Sequence, residues 1–395
     1  MNPYQHQVDI SSQALDILRK HMIVYLAMQE RTGKTLTSIL ICEQTKCNNI
    51  LVITKKKALV GWIDTLSKYK HNKTYECINY ESLHKCTFKP DLVIIDEAHS
   101  NLGAYPKVGK MWKEVFKFTK GKPIIYLSAT PSAQTYAQLY HQFKLSSWTP
   151  WIKYPSFYNW HKDYGIENII YLGGRQLKQY NEVKSEKVMG DVEHLFISYT
   201  RTELGFEHEP NDILHYIDLS SEIKEYYNSL LKDRVATVAG TEVIADTVMA
   251  LRTKLLQIEG STLKQEDKNI FLSKIDKIDY ILKTWGDSDN LVIFYQYQNE
   301  LSLLKQTFKS ATILQGTSFA EGVDLSMYET CVVYSMDFST AKYTQRRARQ
   351  CNMKRDTPID FHFLLVKGAI SEQVYQTVAV NRTNFVDSYF NKQEI

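Results

Sequence analysis

Apolar residues recur along this chain as short unbroken runs separated by stretches of helical periodicity. Ile23-Val24-Tyr25-Leu26, Ile50-Leu51-Val52-Ile53, Leu92-Val93-Ile94-Ile95 and Ile124-Ile125-Tyr126-Leu127 lack the alternation of a half-exposed strand, so each reads as a strand buried on both faces. Val8, Leu15, Leu18 and Met22 fall at helical spacing before the first run, and residues 36–41 read as a helix after it. Leu59, Trp62, Ile63 and Leu66 occupy i, i+3, i+4 and i+7 of an amphipathic helix. Strands alternating with helices predict a parallel sheet covered on both faces. The rhythm resumes at 291–295, 311–315, 330–334 and 360–366, which predicts a second α/β lobe. The text between the two differs. Residues 147–200 are aromatic and irregular (Trp148, Trp151, Tyr154, Phe157, Tyr158, Trp160, Tyr164), a composition that more often forms a satellite core than a base-stacking surface. Residues 220–285 predict mainly helix, with Ile223, Tyr226, Tyr227 and Leu230 on one face. At 395 residues the chain suits two domains, divided as 1–204 and 205–395.

The polar residues that interrupt this pattern carry the candidate chemistry. Met28-Gln29-Glu30-Arg31-Thr32-Gly33-Lys34-Thr35 lies between a predicted strand and a predicted helix, the setting of a phosphate-binding loop. Backbone N–H groups of Arg31, Thr32 and Gly33 and the helix N-terminus would wrap phosphates. Lys34 would meet the β- and γ-phosphates, and Thr35 would give its hydroxyl to Mg²⁺. The full pattern has glycine where Met28 stands. Asp96 and Glu97 emerge at the end of another apolar run. There Asp96 would hold Mg²⁺, and Glu97 would orient and deprotonate an attacking water. His99 would link this site to the rest of the protein. Ser128 and Thr130, ending the next run, can hydrogen-bond the acidic pair. The amide of Gln5 matches the N6 and N7 edge of adenine. Lys55, Lys56 and Lys57 stand at the carboxyl end of a strand, the edge where ligands collect in open α/β sheets.

Charge and cysteine content narrow the picture only slightly. A net charge of +4 does not by itself imply nucleic acid, but Arg346, Arg347, Arg349 and Arg355 cluster in a chain that otherwise favours lysine. Arginine suits planar, bidentate phosphate contact. The six cysteines have no metal-ligand spacing and read as reduced thiols. No apolar run approaches the ~18–20 residues of a membrane span. The opening Met1-Asn2-Pro3-Tyr4-Gln5 lacks a signal-peptide pattern, so a cytoplasmic location is expected.

Gly33-Lys34-Thr35, Asp96-Glu97-Ala98-His99 and Ser128-Ala129-Thr130, in that order, resemble the helicase superfamily 2 ATPases. Residues 55–66 with Trp62, Asn79-Tyr80-Glu81 and Tyr154-Pro155-Ser156-Phe157-Tyr158 are similar to its Swi/Snf-like branch, above all to compact bacteriophage members acting in an infected bacterial host. The resemblance implies two RecA-like lobes with parallel sheets and mainly helical insertions. It implies an ATP- and Mg²⁺-dependent helicase or translocase on duplex or branched DNA, with replication or recombination proteins as partners. An RNA helicase or an ATP-gated DNA clamp are the alternatives. By the same resemblance Gln5 reads adenine, and Gly322 and Asp324 belong to a motif coupling the nucleotide and DNA sites. Gln345, Arg346 and Arg349 belong to the arginine-finger motif. The family pattern places two arginines three residues apart. Counted from Gln345 the first falls on Arg349 and the second on Asn352, so Arg349 is the expected finger and Arg355 a reserve.

Overall fold

The computed structural model describes residues 2–132, 135–172, 175–205, 210–266, 268–316, 328, 330–338, 343, 347 and 360–380. Two compact units form, Met1–Gly205 and Phe206–Arg382.

In the first unit, helix α1 (Gln5–His21) leads into β1 (Ile23–Met28), whose six residues are all buried. Helix α2 (Lys34–Glu43), β2 (Asn49–Thr54), α3 (Leu59–Lys68), β3 (Thr74–Asn79), β4 (Leu92–Asp96), α4 (Ala98–Leu102), α5 (Lys110–Thr119) and β5 (Ile124–Leu127) follow. After the aromatic segment comes β8 (Phe196–Tyr199). The sheet runs β3-β2-β4-β5-β1-β8, and every pairing in it is parallel. The unbroken apolar runs are therefore interior strands covered on both faces, as their lack of alternation requires. The strands missed in sequence, β3 and β8, are the two edges. Their text is mixed because an edge strand buries less of itself.

In α1 the buried face is Ile10, Ala14, Leu15 and Leu18, while Val8 is exposed. In α3 only Trp62 is buried, and Ile63 stands 58% exposed. The aromatic segment is mostly core, but not the expected satellite: its buried rings join the same cluster as Tyr25, Tyr126 and the other sheet residues of this unit. Trp151, Phe157 and Trp160 are buried, and Trp160 stacks on Tyr164 with centroids 4.9 Å apart. It holds helix α7 (Phe157–Tyr164) and an antiparallel hairpin, β6 (Asn168–Leu172) with β7 (Arg175–Gln179).

The second unit has a five-stranded parallel sheet, ordered β15 (Thr312–Gln315), β14 (Leu291–Tyr295), β16 (Thr330–Val333), β17 (Asp360–Leu365), β9 (Asn211–Tyr216). Residues 220–285 contain the expected helices Ser221–Asp233, Val248–Glu259 and Asp276–Thr284. Two hairpins lie between them, β10 (Val235–Val238) with β11 (Thr241–Ile244) and β12 (Thr262–Gln265) with β13 (Lys268–Phe271), which the helical reading did not include. In the first, Val235–Val238 and Thr241–Ile244 join through Ala239 and Gly240, both at positive φ (47° and 78°). Two consecutive left-handed residues give the turn whose twist matches the flanking strands.

Candidate nucleotide site

Because the first sheet is wholly parallel, the carboxyl ends of β1, β2, β4, β5 and β8 share one edge, and the candidate groups gather there. The strand order carries information absent from the sequence. β5 lies between β1, which bears the phosphate loop, and β4, which bears the acidic pair. Register places Leu26, Leu127 and Asp96 in one row, so Ser128 emerges between the two motifs.

The phosphate loop turns through two left-handed residues, Arg31 (φ 66°) and Gly33 (φ 85°). A Cβ on Gly33 would lie 2.0 Å from Nε2 of Gln7, so glycine is required by both conformation and close approach. Met28 stands where the pattern has glycine because it is the fully buried last residue of β1, and the turn starts after it. Lys34 Nζ donates to the carbonyls of Met28 and Gln29, each at 2.8 Å, folding the ammonium across the loop. Burial lowers its pKa, while Glu30, Glu97 and Asp96 pull it upward. Lys34 thus lies within the field of both members of the acidic pair.

Asp96 is held by three neighbours. Thr54 Oγ1 and Trp62 Nε1 donate to Oδ2 at 2.7 and 3.0 Å, and the Tyr80 hydroxyl donates to its backbone carbonyl at 2.7 Å. Burial raises the Asp96 pKa and Glu97 adds to it; the Trp62 and Thr54 bonds and Lys34 oppose the rise. Glu97 occupies the left-handed region (φ 54°), uncommon for a non-glycine residue and a form of strain concentrated at functional sites. Its Oε2 lies 3.6 Å from His99 Nδ1. That ring nitrogen is 2.7 Å from Ser128 Oγ, which also accepts from the Thr130 N–H at 3.0 Å. Burial pushes the His99 pKa down to about 4, with Lys55 helping, so the ring is neutral near pH 7. His99, Ser128 and the Thr130 N–H therefore form a neutral hydrogen-bonded bracket behind the Glu97 carboxylate.

Other assigned residues sit apart from this cluster. Gln5 is exposed, and its amide donates to Asp9 at 2.9 Å. Gln7, two residues on, is buried: its Oε1 accepts from the Tyr4 N–H at 2.9 Å and its Nε2 donates to the Gly33 carbonyl at 3.4 Å. Lys55 is half-buried on the site's edge, and Lys56 and Lys57 are exposed in a short turn. Gly322, Asp324, Gln345, Arg346 and Arg349 lie outside the described residues. Arg347, from the same run as Arg349, donates to Asp212, to the Pro210 carbonyl and to Tyr343, so this arginine anchors its own unit.

Sequence reasoning missed Trp62 as a polar group and Arg201 altogether. Arg201 is 5% exposed just after β8. Its N–H donates to Gln29 Oε1 at 2.8 Å and its guanidinium lies 3.8 Å from the Glu30 carboxylate, beneath the phosphate loop. A lone arginine after an edge strand gives no signal of this.

Mg²⁺ bound with a nucleotide needs one or two protein oxygens and takes the rest from phosphates and water. The residues fit that demand. Both side-chain donors to Asp96 fall on Oδ2, so Oδ1 receives neither of them, and Thr35 opens α2 beside Lys34. Among the described residues no group of three or more His, Cys, Asp or Glu forms a protein-only metal cage.

No protein-family model and no curated protein matches this sequence. A solved structure does align with it. It is a Sulfolobus solfataricus SWI2/SNF2 ATPase core in complex with dsDNA, at 16% identity and a TM-score of 0.45, covering 99% of this chain and 93% of that one. Among the described residues no helix is long and apolar enough to cross a membrane.

Proposed function

We propose that this protein hydrolyses ATP and couples the hydrolysis to movement along DNA. The observation that carries the reading is the convergence of Lys34, Asp96, Glu97 and Ser128 on one edge of a parallel sheet, with the Ser128 strand between the other two. Lys34 exchanges the Met28 and Gln29 carbonyls for phosphate oxygens, which replaces neutral acceptors by charged ones. Asp96 and Thr35 would hold Mg²⁺, which neutralises phosphate charge during transfer. Glu97 takes the proton of the attacking water, held in place by His99 and Ser128. Gln5 reads the adenine edge, and Gln7 presses its helix onto Gly33 so that the phosphate loop and the base reader move together. Arg349 supplies the positive charge that stabilises the transferring phosphoryl group. Lys55, Lys56 and Lys57 grip the DNA backbone, a contact that is salt-sensitive and independent of sequence.

The test is ATPase rate without polymer and with single-stranded DNA, duplex DNA, a fork and RNA. Stimulation by DNA is expected. Lys34→Ala should abolish turnover by weakening nucleotide binding, and Glu97→Gln should retain binding but stop turnover. Wild-type turnover in both variants would refute the reading. Arg349→Ala should lower turnover roughly a hundredfold or more with binding intact. If Arg355→Ala does so instead, Arg355 is the finger.

A further inference from the structure

The aromatic segment is core on one side only. Beside α7 lies a cavity of about 350 Å³ lined by Tyr158, His161, Lys162, Gly165, Glu167, Lys178 and Tyr180. Phe157 and Trp160, both buried, form the packed layer beneath α7. Tyr158 is 40% exposed and meets Tyr180 edge-on, with centroids 5.4 Å apart. His161 also meets Tyr180 edge-on, with centroids 5.0 Å apart. The His161 ring rests on Gly165, where any Cβ would come within 2.5 Å of three ring atoms. His161 is 6% exposed, yet its Nε2 has no hydrogen-bond partner. The Glu182 backbone carbonyl engages the ring, and burial keeps it neutral. Nε2 is then a buried, unused acceptor packed against Gly165.

We propose that this cavity receives one unpaired base of single-stranded DNA, stacked on the exposed ring of Tyr158, with Tyr180 and His161 walling the pocket. This deepens the reading of the protein as a DNA motor and rests on it. The volume suits a base and part of its sugar but not a duplex, whose bases are occupied by one another. Every base carries a π-face, so the site would hold strands with little sequence preference. Lys162 and Lys178 stand where flanking phosphates would pass. Lys178 is paired with Glu167 at 3.2 Å, an exposed pair of little net worth that a phosphate can displace. The pocket would retain a displaced strand while the lysine-lined edge holds the duplex.

The test measures binding of a labelled oligothymidylate, a duplex of equal length and free thymidine monophosphate to the full chain. Tyr158→Ala should weaken the single strand about tenfold or more. Duplex affinity and basal ATPase should stay unchanged, and Tyr158→Phe should bind as wild type. Replacing Lys162 and Lys178 by Ala should weaken the single strand and flatten its salt slope. A 5-iodouridine strand should photocrosslink to Tyr158 or Tyr180. Unchanged single-strand affinity with crosslinks elsewhere would overturn the proposal, and so would tight binding of the free nucleotide alone. If Lys34→Ala leaves ATPase untouched while the crosslink persists, the motor reading falls and the pocket stands. Active, DNA-stimulated ATPase without the crosslink gives the reverse.

Discussion

Trp62→Phe tests how Asp96 is prepared for a cation. The indole is 2% exposed and donates to Asp96 Oδ2 at 3.0 Å. A hydrogen bond to a charged acceptor contributes about 1.5–3 kcal/mol. The substitution also removes part of a buried ring, a packing loss that does not depend on pH. The two effects separate by titration. Burial already raises the Asp96 pKa, and the Trp62 bond is the largest effect opposing that rise. Losing it should lift the pKa further, because the ionised carboxylate loses a donor while its burial is unchanged. A carboxyl whose folded pKa lies above its unfolded value favours the fold below the unfolded pKa, and that contribution is lost as pH rises through the folded pKa. The thermal penalty of Trp62→Phe should therefore be larger near neutral pH than in acid, where Asp96 accepts a proton.

Activity should move in parallel, with the acidic limb of the ATPase profile shifting upward and more Mg²⁺ required at a given pH. Thr54→Val, which removes the other donor with little change of volume, should do the same with a smaller packing loss. The measurements are melting temperature against pH and ATPase against Mg²⁺ for both variants. If each loses the same melting temperature at every pH and keeps the wild-type Mg²⁺ midpoint, Trp62 is packing alone.

Three further outcomes follow from the same cluster. Gly33→Ala should sharply weaken nucleotide binding, and a Gln7→Ala background should relieve the part due to the clash with that side chain while the left-handed strain at φ 85° remains; additive effects in a double-mutant cycle of binding would refute the contact. Arg201→Met should cost about 3 kcal/mol in denaturant unfolding by removing the cation 3.8 Å from Glu30 and leaving that carboxylate to Lys34, and adding Glu30→Gln should restore part of it. His99 has a folded pKa of about 4 against an ordinary 6.5, so it supports the fold above 6.5 and loses that support as pH falls toward 4; His99→Asn should flatten melting temperature against pH in that window, and an unchanged slope would refute the burial argument.

How much of this was legible in the sequence depends on whether the signal was local. The interior strands were readable because burial on both faces removes alternation, as in Ile23–Met28 and Leu92–Asp96. The edge strands Thr74–Asn79 and Phe196–Tyr199 were not, since their composition serves water on one side. The hairpin at Val235–Ile244 did carry a local mark, a two-residue Ala239-Gly240 link between short alternating runs. It was obscured by the strong helical faces on either side. Lys34, Asp96 and Glu97 were legible because their spacing from a strand end fixes their position. Ile63 was misplaced by the same periodicity that correctly buried Trp62, because helix α3 covers the sheet with only a narrow stripe.

The remaining site residues depend on strand order, which no local pattern encodes. Placing β5 between β4 and β1 is what lets Ser128 reach His99, and thereby support Glu97, from a strand that neither motif belongs to. Placing β8 next to β1 brings Tyr199 to the Gln29 N–H and Arg201 under Glu30, so the last strand of the unit braces the first loop. This brace also explains how the loop tolerates Met28 in place of glycine. The full glycine pattern lets a loop supply its own freedom, whereas this loop is held from below by Arg201 and from the side by Gln7, and needs left-handed backbone only at Arg31 and Gly33. The departure from the pattern and the unforeseen arginine are thus one feature: a loop with fewer glycines requires more external support. Disturbing that support should therefore affect nucleotide binding before it affects any group that touches the nucleotide.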